Sequence, residues 1–196
     1  MEDLTGTGVF LASQEGATIV TKCGGLHRGK HDRLTKHALR NQEQIMEENF
    51  KRILVTTDFS EAGDHAISHA FRMAADHGAE VLLLHVLEVI VAPNPLYAHY
   101  YPTDLLTPEL RIRAENDARQ AILDRTPKNG PLAAVPHQVV VAHGMPAEEI
   151  IRTAREQQAD LIVISTHGRT GLRHLILGST AERVIRHAHC PVLVVR

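Results

Sequence analysis

The sequence predicts an α/β fold, an open parallel sheet with helices on both faces. Three observations predict it. From residue 51 onward, short apolar segments of strand type alternate with segments of helical periodicity, in the order β-α-β-α-β-α-β-α-β. The strand segments are continuously apolar rather than alternating, so both faces of each must be covered. Strands that alternate with helices through right-handed crossovers pair in parallel.

Each element follows from its residues. Arg52–Thr57 is a short apolar run that reads as the first core strand. Residues 60–77 place Gly63, Ile67, Ala70, Phe71 and Ala74 at helical spacing, and Gly78 is positioned to end that helix. Residues 80–87 form the second strand. A loop rich in Pro and Tyr runs from Pro93 to Pro108. Residues 109–124 read as a helix with Leu110, Ala114, Ala118, Ala121 and Ile122 on one side. Residues 138–142 are the third strand, and Pro146 opens a helix to residue 158, at the turn where its missing N–H is not needed. Residues 160–165, 179–189 and 191–195 complete the pattern as strand, helix and strand.

The first 50 residues differ in character. Residues 1–21 are small and polar, and residues 22–40 concentrate Lys22, Arg28, Lys30, Arg33, Lys36 and Arg40 against the single acid Asp32. Few apolar groups are available to offset ordering entropy, so residues 1–48 are expected to be a poorly ordered extension and 49–196 the folded domain. A basic arm for an anionic partner, and a natural start at Met46, are the other readings of this stretch.

Composition bounds the function. The chain has 21 Lys and Arg against 23 Asp and Glu, a net charge of −2, which argues against coating of nucleic acid through bulk positive charge. Two cysteines, Cys23 and Cys190, make neither a disulfide framework nor a zinc site. No apolar run approaches a membrane span and the start lacks a signal-peptide pattern, so a cytoplasmic protein is expected. The 14 histidines include His65 and His69 on one helical face, but a metal site needs further ligands and none is adjacent, so no metal site is expected. His85, inside the second strand, reads as a packed core residue.

In such sheets ligands bind beyond the carboxyl ends of the strands. The fourth strand ends in Ser165-Thr166-His167-Gly168-Arg169-Thr170-Gly171, where two glycines let backbone N–H groups approach a ligand. Gly178-Ser179-Thr180 then opens the last helix, with free N–H groups, a positive dipole end and two hydroxyls. Ser179 and Glu182 have capping-box spacing. With Arg169 these features suit a polyphosphate. Neither a P-loop lysine nor a G-x-G-x-x-G fingerprint is present, and Gly168–Gly171 matches the G-x-x-G of RNA-binding modules only out of its helical context. At the first strand, Thr57 precedes Asp58, whose carboxylate suits a ribose hydroxyl, an adenine amino group or Mg2+. Its alternative role is to cap the following helix, with Glu61 three residues on, while Ser60 reads as a cap.

These residues resemble the universal stress protein A family across 51–196. The resemblance is carried by Ile53-Leu-Val-Thr-Thr-Asp-Phe-Ser60, by Leu84-His-Val86, by Ser165 to Val184, and by Cys190-Pro-Val-Leu-Val-Val195. The ATP-binding branch of that family has a motif G-x2-G-x9-G-[ST]. Gly168, nine residues and Gly178-Ser179 satisfy its second half, and Ser165 stands at the first glycine. The resemblance implies a Rossmann-like sheet of order 3-2-1-4-5 and ATP over the ends of the first and fourth strands. Asp58 and Val86 would contact base and ribose, and Gly168, Arg169, Gly178, Ser179 and Thr180 the phosphates. It also implies a homodimer, often through the last strand, and Val192–Val195 would otherwise be an exposed apolar edge.

The expected function is therefore an ATP-binding stress-response switch or sensor. No dedicated general base stands out, so no residue is assigned to catalysis. The alternatives are slow ATP hydrolysis and a dimeric interaction protein that binds no nucleotide.

Overall fold

In a computed structural model, the described residues are 8–14, 17–23, 50–88, 107–166 and 177–195. Seven strands form one sheet: β1 (Gly8–Gln14), β2 (Ala17–Cys23), β3 (Arg52–Thr56), β4 (Glu80–Glu88), β5 (His137–Gly144), β6 (Leu161–Ser165) and β7 (Val192–Val195). Their spatial order is β1-β2-β7-β6-β3-β4-β5. The five core strands β3 to β7 are parallel and take the expected order 3-2-1-4-5. Among the described residues four helices follow the strands: α1 (Glu61–His77), α2 (Pro108–Leu123), α3 (Pro146–Glu156) and α4 (Ser179–His187). A short 3-10 turn, Pro131–Ala134, leads into β5.

The continuously apolar strands are explained by two cores, one on each face of the sheet. Ile53, Val55, Val81, Leu83, Leu161 and Val163 pack with Ile67, Ala70 and Phe71 of α1 and Ile122 of α2. Leu54, Leu82, Leu84, Ile162 and Ile164 point the other way, onto Ile150 and Ala154 of α3 and Ala181 and Val184 of α4. Burial of such side chains contributes about 1.5–3 kcal/mol each. Two expectations shift at the edges. Leu110 of α2 is 46% exposed rather than packed, and only Ala118 and Ile122 of that helix are buried. Strand β5 runs past residues 138–142 because it pairs with β4 over eight positions, from Val81 opposite His137 to Glu88 opposite Gly144.

Caps fix the helix ends. Ser60 accepts from the Gly63 amide at the start of α1, and Gly78, at φ 67°, closes it in the left-handed conformation. Pro146 opens α3 as expected. At the amino end of the sheet, Asp160 accepts from the amides of Lys51 (2.8 Å) and Arg52, and the Arg52 guanidinium pairs with Glu80. These contacts tie β3, β4 and β6 together on the side away from the carboxyl ends.

The N-terminal extension holds two strands where the sequence suggests a poorly ordered tail. β1 and β2 pair antiparallel from Gly8 opposite Cys23 to Gln14 opposite Ala17, so each supplies the other's ladder. β2 in turn pairs antiparallel with β7, Ala17 opposite Val195 through Val20 opposite Val192. The edge expected to carry a homodimer contact is thus covered by the chain itself. Residues 1–7, 24–49, 89–106 and 167–176 lie outside the described residues, and with them the basic stretch 24–40 and the Pro/Tyr loop.

Candidate functional site at the carboxyl ends of β3 and β6

Strand order reverses between β3 and β6. From β3 the chain builds β4 and β5 on one side, then crosses to β6 and β7 on the other. β3 and β6 pair directly, Ile53 to Val55 opposite Leu161 to Val163. The space past their carboxyl ends is the switch point at which open parallel sheets take ligands.

On the β3 side, a compact turn leads into α1. Thr57 is buried, its amide donates to the Leu84 carbonyl (3.0 Å) and its hydroxyl accepts from the Phe59 amide (3.0 Å). The Thr57 side chain therefore braces the turn. Asp58 is half-buried, and its Oδ1 accepts from the Ser60 amide (3.1 Å) and the Ser60 hydroxyl (2.5 Å). The cap of α1 is Ser60, so the capping role weighed for Asp58 passes to its neighbour. Asp58 instead orients that cap, and its Oδ2 has no partner among the described residues.

Three groups to which the sequence assigned no part in the site hold this turn: Phe59, Arg125 and Gly63. Phe59 adopts φ 65°, a left-handed conformation that costs a side-chain-bearing residue about 1–2 kcal/mol. Its ring lies 4.2 Å from the His85 ring and 4.9 Å from the Arg125 guanidinium. His85 donates from Nδ1 to the Thr57 carbonyl (2.8 Å), which fits the packed role expected of it. Arg125 forms an ion pair with Asp64 of α1 at 2.9 Å. Gly63 is the third group. A Cβ there would stand 2.9 Å from Thr57 Oγ1 and 3.1 Å from Asp58 Oδ1, so a bare backbone lets α1 close against the turn.

On the β6 side, Ser165 ends the strand opposite Val195 and is half-buried. Thr166 is buried, its amide donates to the Val195 carbonyl (2.8 Å) and its carbonyl accepts from the Gly178 amide (2.9 Å). Gly178 is the N-cap of α4, at φ −71° and ψ 152°, with no side-chain cap. A Cβ on it would meet the Thr166 carbonyl oxygen at 3.0 Å. Ser179 is the exposed first residue of α4 and Thr180 the half-buried second. The capping box expected from Ser179 and Glu182 does not form. The tertiary bond at Gly178 sets the helix start one residue earlier, and the Glu182 carboxylate accepts from Arg186 (2.7 Å) instead. Among the described residues no side chain caps the start of α4, which lies at the positive end of the helix dipole.

The sequence-predicted residues divide accordingly. Thr57 and Asp58 stand past β3, Ser165 ends the adjacent β6, and Gly178, Ser179 and Thr180 lie past it. Val86 lies in β4, half-buried against the core on the α3 and α4 face. His167, Gly168, Arg169 and Gly171 lie outside the described residues. Thr166 was missed as a positioning residue, although its place directly after the apolar strand is a signal for it. Gly63 carries only helical periodicity, which does not reveal a steric limit.

An open α/β sheet whose five core strands are parallel, with its strand order reversing between β3 and β6, defines a Rossmann-like domain. Comparison with known proteins narrows the class. Residues 49–196 match the model of the universal stress protein family, and the chain belongs to it. It is 35% identical over 158 residues to universal stress protein MJ0531 of Methanocaldococcus jannaschii, covering 81% of this chain and 86% of that one. It is 31% identical over 148 residues to universal stress protein YxiE of Bacillus subtilis, covering 75% of this chain and 99% of the relative. Among solved structures, UspA of Lactobacillus plantarum superposes with a TM-score of 0.61 at 26% identity, over 75% of this chain and 98% of that one. No helix among the described residues is long and apolar enough to cross a membrane.

Proposed function

We propose that this chain is an ATP-binding universal stress protein, in which nucleotide occupancy at the crevice acts as a stress-response signal. One observation carries the reading. Gly178 packs its backbone so closely on the Thr166 carbonyl that an added Cβ would displace it, and α4 starts there past β6 with no side-chain cap among the described residues, next to the strand that leads into Asp58. Backbone amides and a helix dipole at that point favour an anion. Asp58 Oδ1 is held by Ser60, which leaves Oδ2 to accept from a ribose hydroxyl or the adenine amino group, or to bind Mg2+. A nucleotide triphosphate has both kinds of partner in one molecule. The small Ser165 at the first glycine of the family motif leaves the phosphate loop its space. His167, Gly168, Arg169 and Gly171 belong to that loop by the family motif.

Binding rather than turnover is the proposed activity. The His85 Nδ1 is committed to the Thr57 carbonyl.

Thermal unfolding with and without Mg-ATP tests the reading. Ligand at a hundred times its dissociation constant adds about 2.7 kcal/mol. The wild type is expected to gain that stability, and Gly178→Val and Asp58→Ala to lose most of the gain. No gain in the wild type would remove the ATP reading. An undiminished gain in both variants would move the site elsewhere.

A further inference from the structure

We infer, on the basis of the ATP reading, that Arg125 is a positioning residue for the nucleoside end of the nucleotide and acts without touching it. Asp58 takes its orientation from Ser60, whose amide and hydroxyl both hold Oδ1. Ser60 in turn is fixed from two sides. Before it stands Phe59, in the left-handed conformation at φ 65°. After it comes the first turn of α1, which the Asp64 amide closes on the Ser60 carbonyl (3.0 Å). Arg125, two residues past the end of α2, meets both flanks. Its guanidinium carbon lies 4.9 Å from the centre of the Phe59 ring, and its Nε lies 2.9 Å from Asp64 Oδ1. One cation thus brackets the residue that aims Asp58.

These contacts leave little slack. Asp64 Oδ1 and Arg125 Nε are closed to solvent, and among the described residues each has only the other as a polar partner. A buried ionic atom that loses its partner is costly, so the turn and the guanidinium hold one another. A second guanidinium nitrogen donates to the Ala121 carbonyl (2.9 Å), which anchors the side chain to the last turn of α2. A left-handed residue with a side chain persists only where its surroundings hold it. His85 supports the Phe59 ring from β4, and Arg125 adds a tie from that ring to α1. The α4 side of the crevice rests on a different set of contacts, between Thr166 and Gly178. Loss of Arg125 therefore bears on the end of the ligand at Asp58 and spares the end at α4.

Calorimetric titration of the full chain with Mg-ATP tests this. Arg125→Gln removes the cation and is expected to weaken binding by about tenfold. Arg125→Lys keeps the cation and is expected to recover most of that loss. Asp64→Asn breaks the same ion pair from the other side, so the double variant Asp64→Asn/Arg125→Gln is expected to lose less than the sum of the two. Amide hydrogen exchange of the unliganded proteins adds a readout that a general loss of stability would not reproduce. Arg125→Gln is expected to speed exchange at Phe59, Ser60 and Gly63 by about tenfold and to leave Thr166 and Gly178 unchanged. Unchanged affinity in Arg125→Gln, no recovery in Arg125→Lys, additive losses in the double variant, or exchange that rises evenly across the domain would each overturn the proposal and leave the ATP reading standing. A wild type with no affinity for Mg-ATP would remove that reading and the proposal with it.

Discussion

The Gly178 amide donates to the Thr166 carbonyl at 2.9 Å, and a Cβ on Gly178 would lie 3.0 Å from the same oxygen. The close approach and the hydrogen bond are one contact, and it sets where α4 begins. Gly178→Ala is expected to destabilise the domain by about 1–3 kcal/mol, because the backbone carbonyl has to move. Chemical denaturation of the unliganded protein measures this. The unchanged Ser179→Ala serves as reference, since Ser179 does not cap the helix.

Gly63 sets two principles against each other. Glycine within a helix is about 1 kcal/mol worse than alanine, so propensity alone favours Gly63→Ala. The added Cβ would stand 2.9 Å from Thr57 Oγ1 and 3.1 Å from Asp58 Oδ1. The contact is expected to win, with a net loss of about 1–2 kcal/mol. Denaturant midpoints of the two proteins decide it, and a stabilised variant would show that the turn yields without cost.

Phe59 combines an unfavourable backbone with a favourable ring. Phe59→Ala keeps the left-handed conformation and loses the contacts with His85 and Arg125. Phe59→Gly loses the same contacts and relieves the backbone. Both are expected to be less stable than the wild type, and the glycine variant more stable than the alanine variant by about 1 kcal/mol. The order of the two unfolding midpoints is the measurement.

Cys190 is half-buried, and burial, followed by the Asp160 charge, pushes its thiol up to about 11. The neutral thiol is the favoured form in the folded protein, so deprotonation is suppressed until the pH nears that value. At pH 8 the thiolate fraction is about one in a thousand. Alkylation of Cys190 by iodoacetamide is expected to be slow in the folded chain at pH 8 and to accelerate toward pH 11 and on unfolding. Mass spectrometry of the Cys190 peptide reads the rate.

The five core strands were legible because burial on both faces forces unbroken apolar runs such as Leu161–Ile164. The switch point was legible from the strand ends, where the apolar runs stop at Asp58 and Ser165. The hairpin was not, since Gly8, Ala12 and Ser13 leave no clear period and its partner β7 lies at the far end of the sequence. Nor was the helix register at Gly178. Ser179 and Glu182 have the local spacing of a capping box, and a carbonyl from another element overrides it. Phe59 escaped for a similar reason. Nothing local marks a left-handed phenylalanine, and His85 and Arg125, which hold it, come from elements distant in sequence.

The Thr166 amide bonds the Val195 carbonyl and the Thr166 carbonyl bonds the Gly178 amide, so the two peptide groups that flank one Cα join the last residue of β7 to the start of α4. Rotation about the φ and ψ of Thr166 changes how these two hydrogen bonds are oriented to each other. The strand paired with β7 and an anion held at α4, as proposed, would therefore act on the same two dihedral angles. Whatever free energy one binding event transmits to the other must be returned in equal measure, because linkage between two equilibria is reciprocal. The β2–β7 pairing and the proposed anion site would then be linked, with the backbone of Thr166 as their shared coordinate.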